Sequence, residues 1–330
     1  MDANHAIGIV LADKTHNNSI GNTAADANTI ECNGNDGIQI VNGAHDNYAG
    51  GNAIEHNGLN GVSLFGAAYN NTVGGNALAN ANYIEFNAGH GVYISDSGTN
   101  TNTVQTNQIY GNLANGIAIR NGARANRTGG SNYTVENVIT GTAWNGVQAS
   151  GSPATFIGTN SISNGRYGVL LDGANTTGTS ITGTILYSNG YDGIAERNGA
   201  SLNVWMHLDT HNNGGLGVDK FANFGDTANI VNPPTAAITS IVKGGDTTTI
   251  KGTGLTGSAI DLYKVAPDPS GFGEGKTFVG EVAVSGGKWT ISDPTGGWCY
   301  TLIELPLGIS ASEFGLNTCR VLLPLTLKNN

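Results

Sequence analysis

Three glutamates, Glu31, Glu55 and Glu85, occupy equivalent places in the chain. Each stands two residues before an asparagine (Asn33, Asn57, Asn87) and six before a glycine (Gly37, Gly61, Gly91). If every such unit makes one turn of a stacked coil, the carboxylates fall on consecutive rungs. Neighbours are then about 4.8 Å apart and the outer two about 9.6 Å. These separations approximate the carboxylate pairs of retaining glycosidases, about 5 to 5.5 Å, and of inverting ones, about 6.5 to 9.5 Å. Like charges this close raise at least one pKa, as a general acid requires. His56 adjoins Glu55, Tyr110 continues the column, and Tyr83 lies beside it as a platform for a sugar ring. The expected chemistry is acid/base cleavage of a glycosidic bond. The same residues also fit a solvated stripe of glutamates, or a calcium site built from hard oxygen ligands.

A second column follows four residues after each glycine and includes Ser95, Arg120, Ser150, Asp172 and Arg197, with Asp96 next to Ser95. Arg120 is one rung from Asp96 and Arg197 one rung from Asp172, so two ion pairs are expected, with Tyr93 on the same face as a further sugar contact. Asp96 and Asp172 stand three rungs apart, about 14 Å, too far to share one bond cleavage. Glu196 and Lys220 fill an inward slot that is Leu or Ile in six of the nine coils. They are expected to pair at the end of the stack, because an unpaired buried charge costs several kcal/mol.

The elements that must position these residues come from a repeat. A glycine followed by an alternating strand recurs at Gly8, Gly37, Gly61, Gly91, Gly116, Gly146, Gly168, Gly193 and Gly217, spaced 22 to 30 residues apart. Four residues before most of them is an asparagine (Asn33, Asn57, Asn87, Asn112, Asn164, Asn189, Asn213), with Thr142 the exception. A second short strand recurs upstream, as in Asn28-Thr29-Ile30 and Asn52-Ala53-Ile54. Each strand is too small to bury its apolar face alone, and the spacing leaves no room for crossover helices. The fold class that follows is all-β: a single-stranded parallel β-helix of about nine coils over residues 1–232, its asparagines stacked rung over rung. Of the 42 Asn residues, 39 lie at or before Asn232. The composition therefore changes near Asn232-Pro233-Pro234. Residues 233–298 alternate as short strands between Gly-Gly and Asp-Pro turns and predict a small immunoglobulin-like β-sandwich. Residues 299–330 lose the alternation and are given no role.

The Asn-x-Ile-x-x-Asn-x-x-x-Gly-Ile/Val-x-Ile pattern resembles the right-handed parallel β-helix repeats of the pectate-lyase-like superfamily, over roughly residues 4 to 222. Residues 260–280 are similar to Ig-like modules that follow β-helices in bacterial surface proteins. The resemblance implies an extracellular or cell-surface protein with a polysaccharide partner, bound on the strand face that carries Arg120 and Arg197. Lyases of this type use an Arg or Lys base beside acidic calcium ligands. Here the cluster of aspartates is missing, as is the Asp-Asp pair with His of polygalacturonases.

Other classes are excluded on charge and composition. A net charge of -10 with 14 Lys+Arg gives no basic cluster for nucleic acid. No apolar run approaches the roughly 20 residues that span a bilayer. Residues Met1 to Ala12 carry no basic segment followed by an apolar run, so no leader is expected there. Cys32, Cys299 and Cys319 allow at most one disulfide and make no zinc site. No cofactor is expected beyond the calcium already named, and the oligomeric state is left open. The expected function is a secreted glycoside hydrolase acting on polysaccharide. Its alternatives are a non-catalytic surface or adhesin module, and a polysaccharide lyase.

Overall fold

The computed structural model describes residues 6–130, 135–220, 234–266 and 274–320. The proposed boundary residues Asn232 and Pro233, Phe221, residues 267–273 in the C-terminal region, and the tail beyond Arg320 lie outside the described residues.

Each coil carries three short strands, for example Ile38–Ile40, Tyr48–Ala49 and Ala53–Glu55, followed one turn later by Val62–Leu64, Thr72–Gly74 and Tyr83–Glu85. Equivalent strands stack in parallel into a nine-stranded sheet after the marker glycines and two eight-stranded sheets, here the second and third in coil order. The result is a right-handed parallel β-solenoid of about eight full turns. Register follows the glycines: Ile38 pairs with Val62, and Val62 with Val92. Inward residues such as Ile38, Ile40, Ile54, Leu64 and Ile84 are fully buried in one continuous core that runs to Val218. A marker glycine is required where coils approach most closely. A β-carbon on Gly91 would meet Ile109 Cγ2 at 2.6 Å and the Gly116 carbonyl oxygen at 2.7 Å.

Asparagine ladders close the corners. In the column Asn33, Asn57, Asn87, Asn112, each backbone N–H and side-chain amide donates to the Oδ1 of the next Asn, at 2.8 to 3.2 Å. A second ladder runs through Asn28, Asn52, Asn82, Asn107, Asn137 and Asn160. A third, which the sequence reading missed with the second sheet, runs through Asn18, Asn47, Asn71, Asn102 and Asn126. These side chains satisfy corner backbone groups that are shut off from water. Asn164 departs from expectation. The stretch from its third strand to the marker glycine is one residue shorter than on neighbouring rungs, so Gly165 takes the ladder slot and donates to Asn189 Oδ1. Asn164 is displaced to the exposed corner with φ 54 to 55° seen also at Ser188 and His56.

Beyond the solenoid lie two three-stranded antiparallel sheets. One contains Ala237–Gly244, Thr247–Thr253 and Lys288–Asp293, and the other Glu274–Ala283, Ala259–Ala266 and Tyr300–Leu305. They share a core that includes Ile250, Ile260, Leu262, Trp289 and Tyr300. Cys299 and Cys319 are disulfide-bonded, and Cys32 is free and exposed. The segment given no role from sequence supplies Tyr300–Leu305 and then covers the solenoid's end. Phe314 enters the solenoid core, and Trp205 Nε1 donates to the Ser312 carbonyl at 2.8 Å.

Among the described residues, the last coil has no further rung to accept its N–H groups. Buried carboxylates accept instead: Asp261 from His207 N (2.7 Å), Glu274 from Asn213 N (3.1 Å) and Glu313 from Lys220 N (2.8 Å). An open strand edge is thereby covered. Glu196 and Lys220 are both buried and pair at 3.9 Å, with Asn203 Nδ2 donating to Glu196 Oε1 at 2.7 Å.

Candidate functional site

The glutamate column is in register: Glu31 pairs with Glu55, Glu55 with Glu85, and Glu85 with Tyr110, all on the outward side of the third sheet. Glu31 is exposed, while Glu55 and Glu85 are half-buried. Burial, and then the Glu55 charge, raise the Glu85 carboxyl above the ordinary glutamate range, with His56 opposing. His56 Nδ1 lies 3.5 Å from Glu55 Oε2. His56 and Phe86 occupy the same corner on adjacent rungs, so their rings stack at 5.4 Å, and Phe86 meets the edge of Tyr110 at 5.2 Å. Tyr83, one rung from Ala53 and Gln108, is 53% exposed beside this strip.

On the marker sheet, Arg197 Nε donates to Asp172 Oδ1 at 3.3 Å, the ion pair expected from spacing. The expected Arg120–Asp96 pair does not form. Asp96 has φ 79° and turns its carboxylate back along the stack, accepting from Ser95 Oγ and Gly66 N. Arg120 reaches the other way and donates through Nη2 to Gln148 Oε1 at 2.6 Å. Arg120 Nε is buried and has no hydrogen-bond partner among the described residues.

Arg120 lines a cavity of about 180 Å³ together with Trp144, Gln148, Arg166, Tyr167 and Arg197. The Arg197 guanidinium lies 5.9 Å from the Tyr167 ring centre. Burial, and then the Asp192 charge, raise the Tyr167 hydroxyl above the usual tyrosine range, with Arg197 opposing. At the cavity's upstream side, His90 stacks on Tyr93 at 5.4 Å and meets the edge of Trp144 at 6.5 Å. His90 fills a corner slot held by Asn60, Asn115 and Asn145 on other rungs, and its Nδ1 accepts from Asn115 N at 3.1 Å. Burial, and then the Arg120 charge, push its pKa down to about 4, so the imidazole is neutral near pH 7.

Trp144, Arg166, Tyr167 and Gln148 escaped the sequence reading. Their signal is the same register carried one corner upstream. Trp144, Arg166 and Tyr191 all stand two residues before a marker glycine, and backbone bonds link Arg166 N to Trp144 O and Tyr191 N to Arg166 O. A larger hollow of about 950 Å³ lies over the second sheet, where Tyr48, Thr72, Thr103 and Gln105 line it with Arg127. It holds none of the predicted site residues. The glutamate column extends over three rungs and does not gather three oxygens around one point. Among the described residues, three metal-ligating side chains converge elsewhere, at His207, Asp261 and Glu281. Also among the described residues, no helix is long and apolar enough to cross a membrane.

A search of curated proteins finds no match. Among solved structures, the chain is similar to the periplasmic alginate epimerase AlgG, at 14% identity over 56% of this chain and 44% of that one, TM-score 0.47. It is similar to pectate lyase Pel9A, at 14% identity over 68% of this chain and 62% of that one, TM-score 0.45. It is also similar to the enzymatically active domain of bacteriophage CBA120 tailspike protein 2, at 10% identity over 94% of this chain and 72% of that one, TM-score 0.39. The chain thus spans less than half the length of the epimerase. Residues 4–137 match the family described as the right handed beta helix region, in agreement with the coil-by-coil register.

Proposed function

We propose that the marker-sheet face binds and acts on an acidic polysaccharide outside the cell or at its surface. The observation that carries this is the cavity between Arg120, Arg166 and Arg197. Three of the chain's 14 Lys and Arg residues converge there, in a protein of net charge -10. Guanidinium groups present paired donors that match a carboxylate, and Arg166 offers them from an exposed position at the cavity. Tyr93, Trp144 and Tyr167 provide rings against which sugar faces pack. A carboxylate neutralised by arginine also makes the adjacent C–H more acidic, which favours proton abstraction over direct hydrolysis on this face. His90, held neutral, and Tyr167 are the titratable groups within reach of that role.

The test compares retention of a polyuronate and a neutral glucan in affinity electrophoresis. Arg166→Ala and Trp144→Ala, both exposed, should each weaken polyuronate binding about tenfold, roughly 1.4 kcal/mol. Equal retention of both polymers by the native protein would refute the proposal. An ultraviolet-absorbing unsaturated product would mark elimination, and binding without product would mark a non-catalytic adhesin module.

Hydrolysis at the glutamate column is the second reading. It is favoured by the Glu55↔Glu85 register and the raised Glu85 carboxyl. The two C-terminal sheets, which share one core, support an immunoglobulin-like reading of that region.

A further inference from the structure

The junction between the last coil and the C-terminal sheets contains a buried carboxylate oxygen that the fold leaves unpaired. His207 follows the strand Val204–Met206 with φ 52°, and its backbone N–H donates to Asp261 Oδ2 at 2.7 Å. The Tyr263 hydroxyl donates to the same oxygen at 2.9 Å. Asp261 is fully buried, and its other oxygen, Oδ1, has no hydrogen-bond partner among the described residues. That oxygen faces His207 Nε2, 3.8 Å away.

Glu281, paired with Asp261 across the neighbouring strand, places Oε2 3.4 Å from the same imidazole nitrogen. All three donor atoms lie within 4.8 Å of one another. The Phe278 ring packs on His207 at 4.6 Å and limits its rotation. Around a tetrahedral ion with bonds of about 2.0 to 2.1 Å, ligand atoms stand about 3.3 to 3.4 Å apart. The two separations from His207, 3.4 and 3.8 Å, are close to that, and the two carboxylate oxygens, within 4.8 Å of each other, draw together around a bound ion.

We propose that His207 Nε2, Asp261 Oδ1 and Glu281 Oε2 form a site for a divalent first-row transition metal ion of the Zn²⁺ class. The imidazole ligand selects such an ion over Ca²⁺ or Mg²⁺, which prefer all-oxygen sets. His207 and Glu281 are half open to solvent on their outer side, which leaves room for water as the fourth ligand. The hydrogen bonds from Tyr263 and His207 N to Oδ2 hold the Asp261 carboxylate in place, as outer-shell groups do around metals. The ion would join the solenoid's last coil to the two strands of the sheet that covers it. This site is independent of the polysaccharide-binding face.

The full chain, stripped with EDTA and dialysed, is titrated calorimetrically with ZnCl2, and with CoCl2 while visible absorption is recorded. One equivalent of Zn²⁺ should bind and raise the thermal midpoint, and Co²⁺ added to the metal-free chain should bind with ligand-field bands that Zn²⁺ then displaces. His207→Gln keeps the backbone donor to Asp261, and Glu281→Gln alters a solvent-facing side chain, so both variants should fold. Each should lower Zn²⁺ affinity by more than about tenfold. The proposal is overturned if the native chain binds no stoichiometric Zn²⁺. It is equally overturned if both variants retain native affinity, or if Ca²⁺ binds in preference.

Discussion

Asn87→Ala tests the corner ladders directly. Asn87 is fully buried, and its side chain makes four bonds. Nδ2 donates to Asn112 Oδ1 (3.0 Å) and to the Ile54 carbonyl (3.1 Å), and Oδ1 accepts from Asn57 Nδ2 (2.9 Å) and Asn57 N (3.1 Å). Alanine would leave the Asn57 backbone N–H without its acceptor and the Ile54 carbonyl without this donor, in a corner that the neighbouring rungs close to water. At about 1 to 3 kcal/mol for each of these two buried groups left unpaired, the expected loss is about 2 to 6 kcal/mol. The matched control is Asn164→Gly. Asn164 carries the same residue type at the same nominal offset, but it is exposed, outside the ladder, and at φ 55°, which suits glycine. That change should stay within about 0.5 kcal/mol of the native protein. Urea unfolding followed by circular dichroism measures both, with hydrogen exchange at the Asn57 amide reporting the local effect if coils melt separately. Equal destabilisation by the two variants would refute the ladder assignment, as would a negligible effect of Asn87→Ala.

Two further outcomes are expected. His90 has a folded pKa of about 4 against an ordinary 6.5, so between those values the unfolded chain takes up a proton that the folded chain does not, and stability falls as pH drops through that window. The full separation corresponds to roughly 3 kcal/mol at 1.36 kcal/mol per pH unit. His90→Asn, which restores the residue type of neighbouring rungs, should therefore flatten the denaturant midpoint between pH 7 and pH 4.5. An unchanged pH profile would contradict the burial argument. If the glutamate column hydrolyses glycosidic bonds, Glu55→Gln should abolish reducing-sugar release from a susceptible glycan while leaving the polyuronate retention due to Arg166 intact. Undiminished release would remove that reading.

The repeat could be read from the chain because it is one-dimensional. Gly at the close approach, Asn at the corner and alternating Ile or Val each satisfy a local condition. Counting from one glycine to the next therefore placed Glu31, Glu55 and Glu85 on consecutive rungs, and Asp172 beside Arg197. The same counting failed where side chains choose a direction along the stack. Asp96 turns toward the preceding rung and Arg120 toward the following one, so residues with compatible spacing never meet. It failed again at Asn164, where a corner one residue shorter moves the slot to Gly165.

The arginine cavity draws on three coils and two corners, and only side-chain orientation brings Arg120, Arg166 and Arg197 together. The end of the solenoid was least visible of all. Asp261, Glu274 and Glu313 are separated from the last coil by dozens of residues, and no periodicity connects them to it. Local pattern determined the coil and its register, because each rung sees only its neighbours. Tertiary structure decided what closes the open edge and where charge converges, because those contacts join residues with no repeating interval between them.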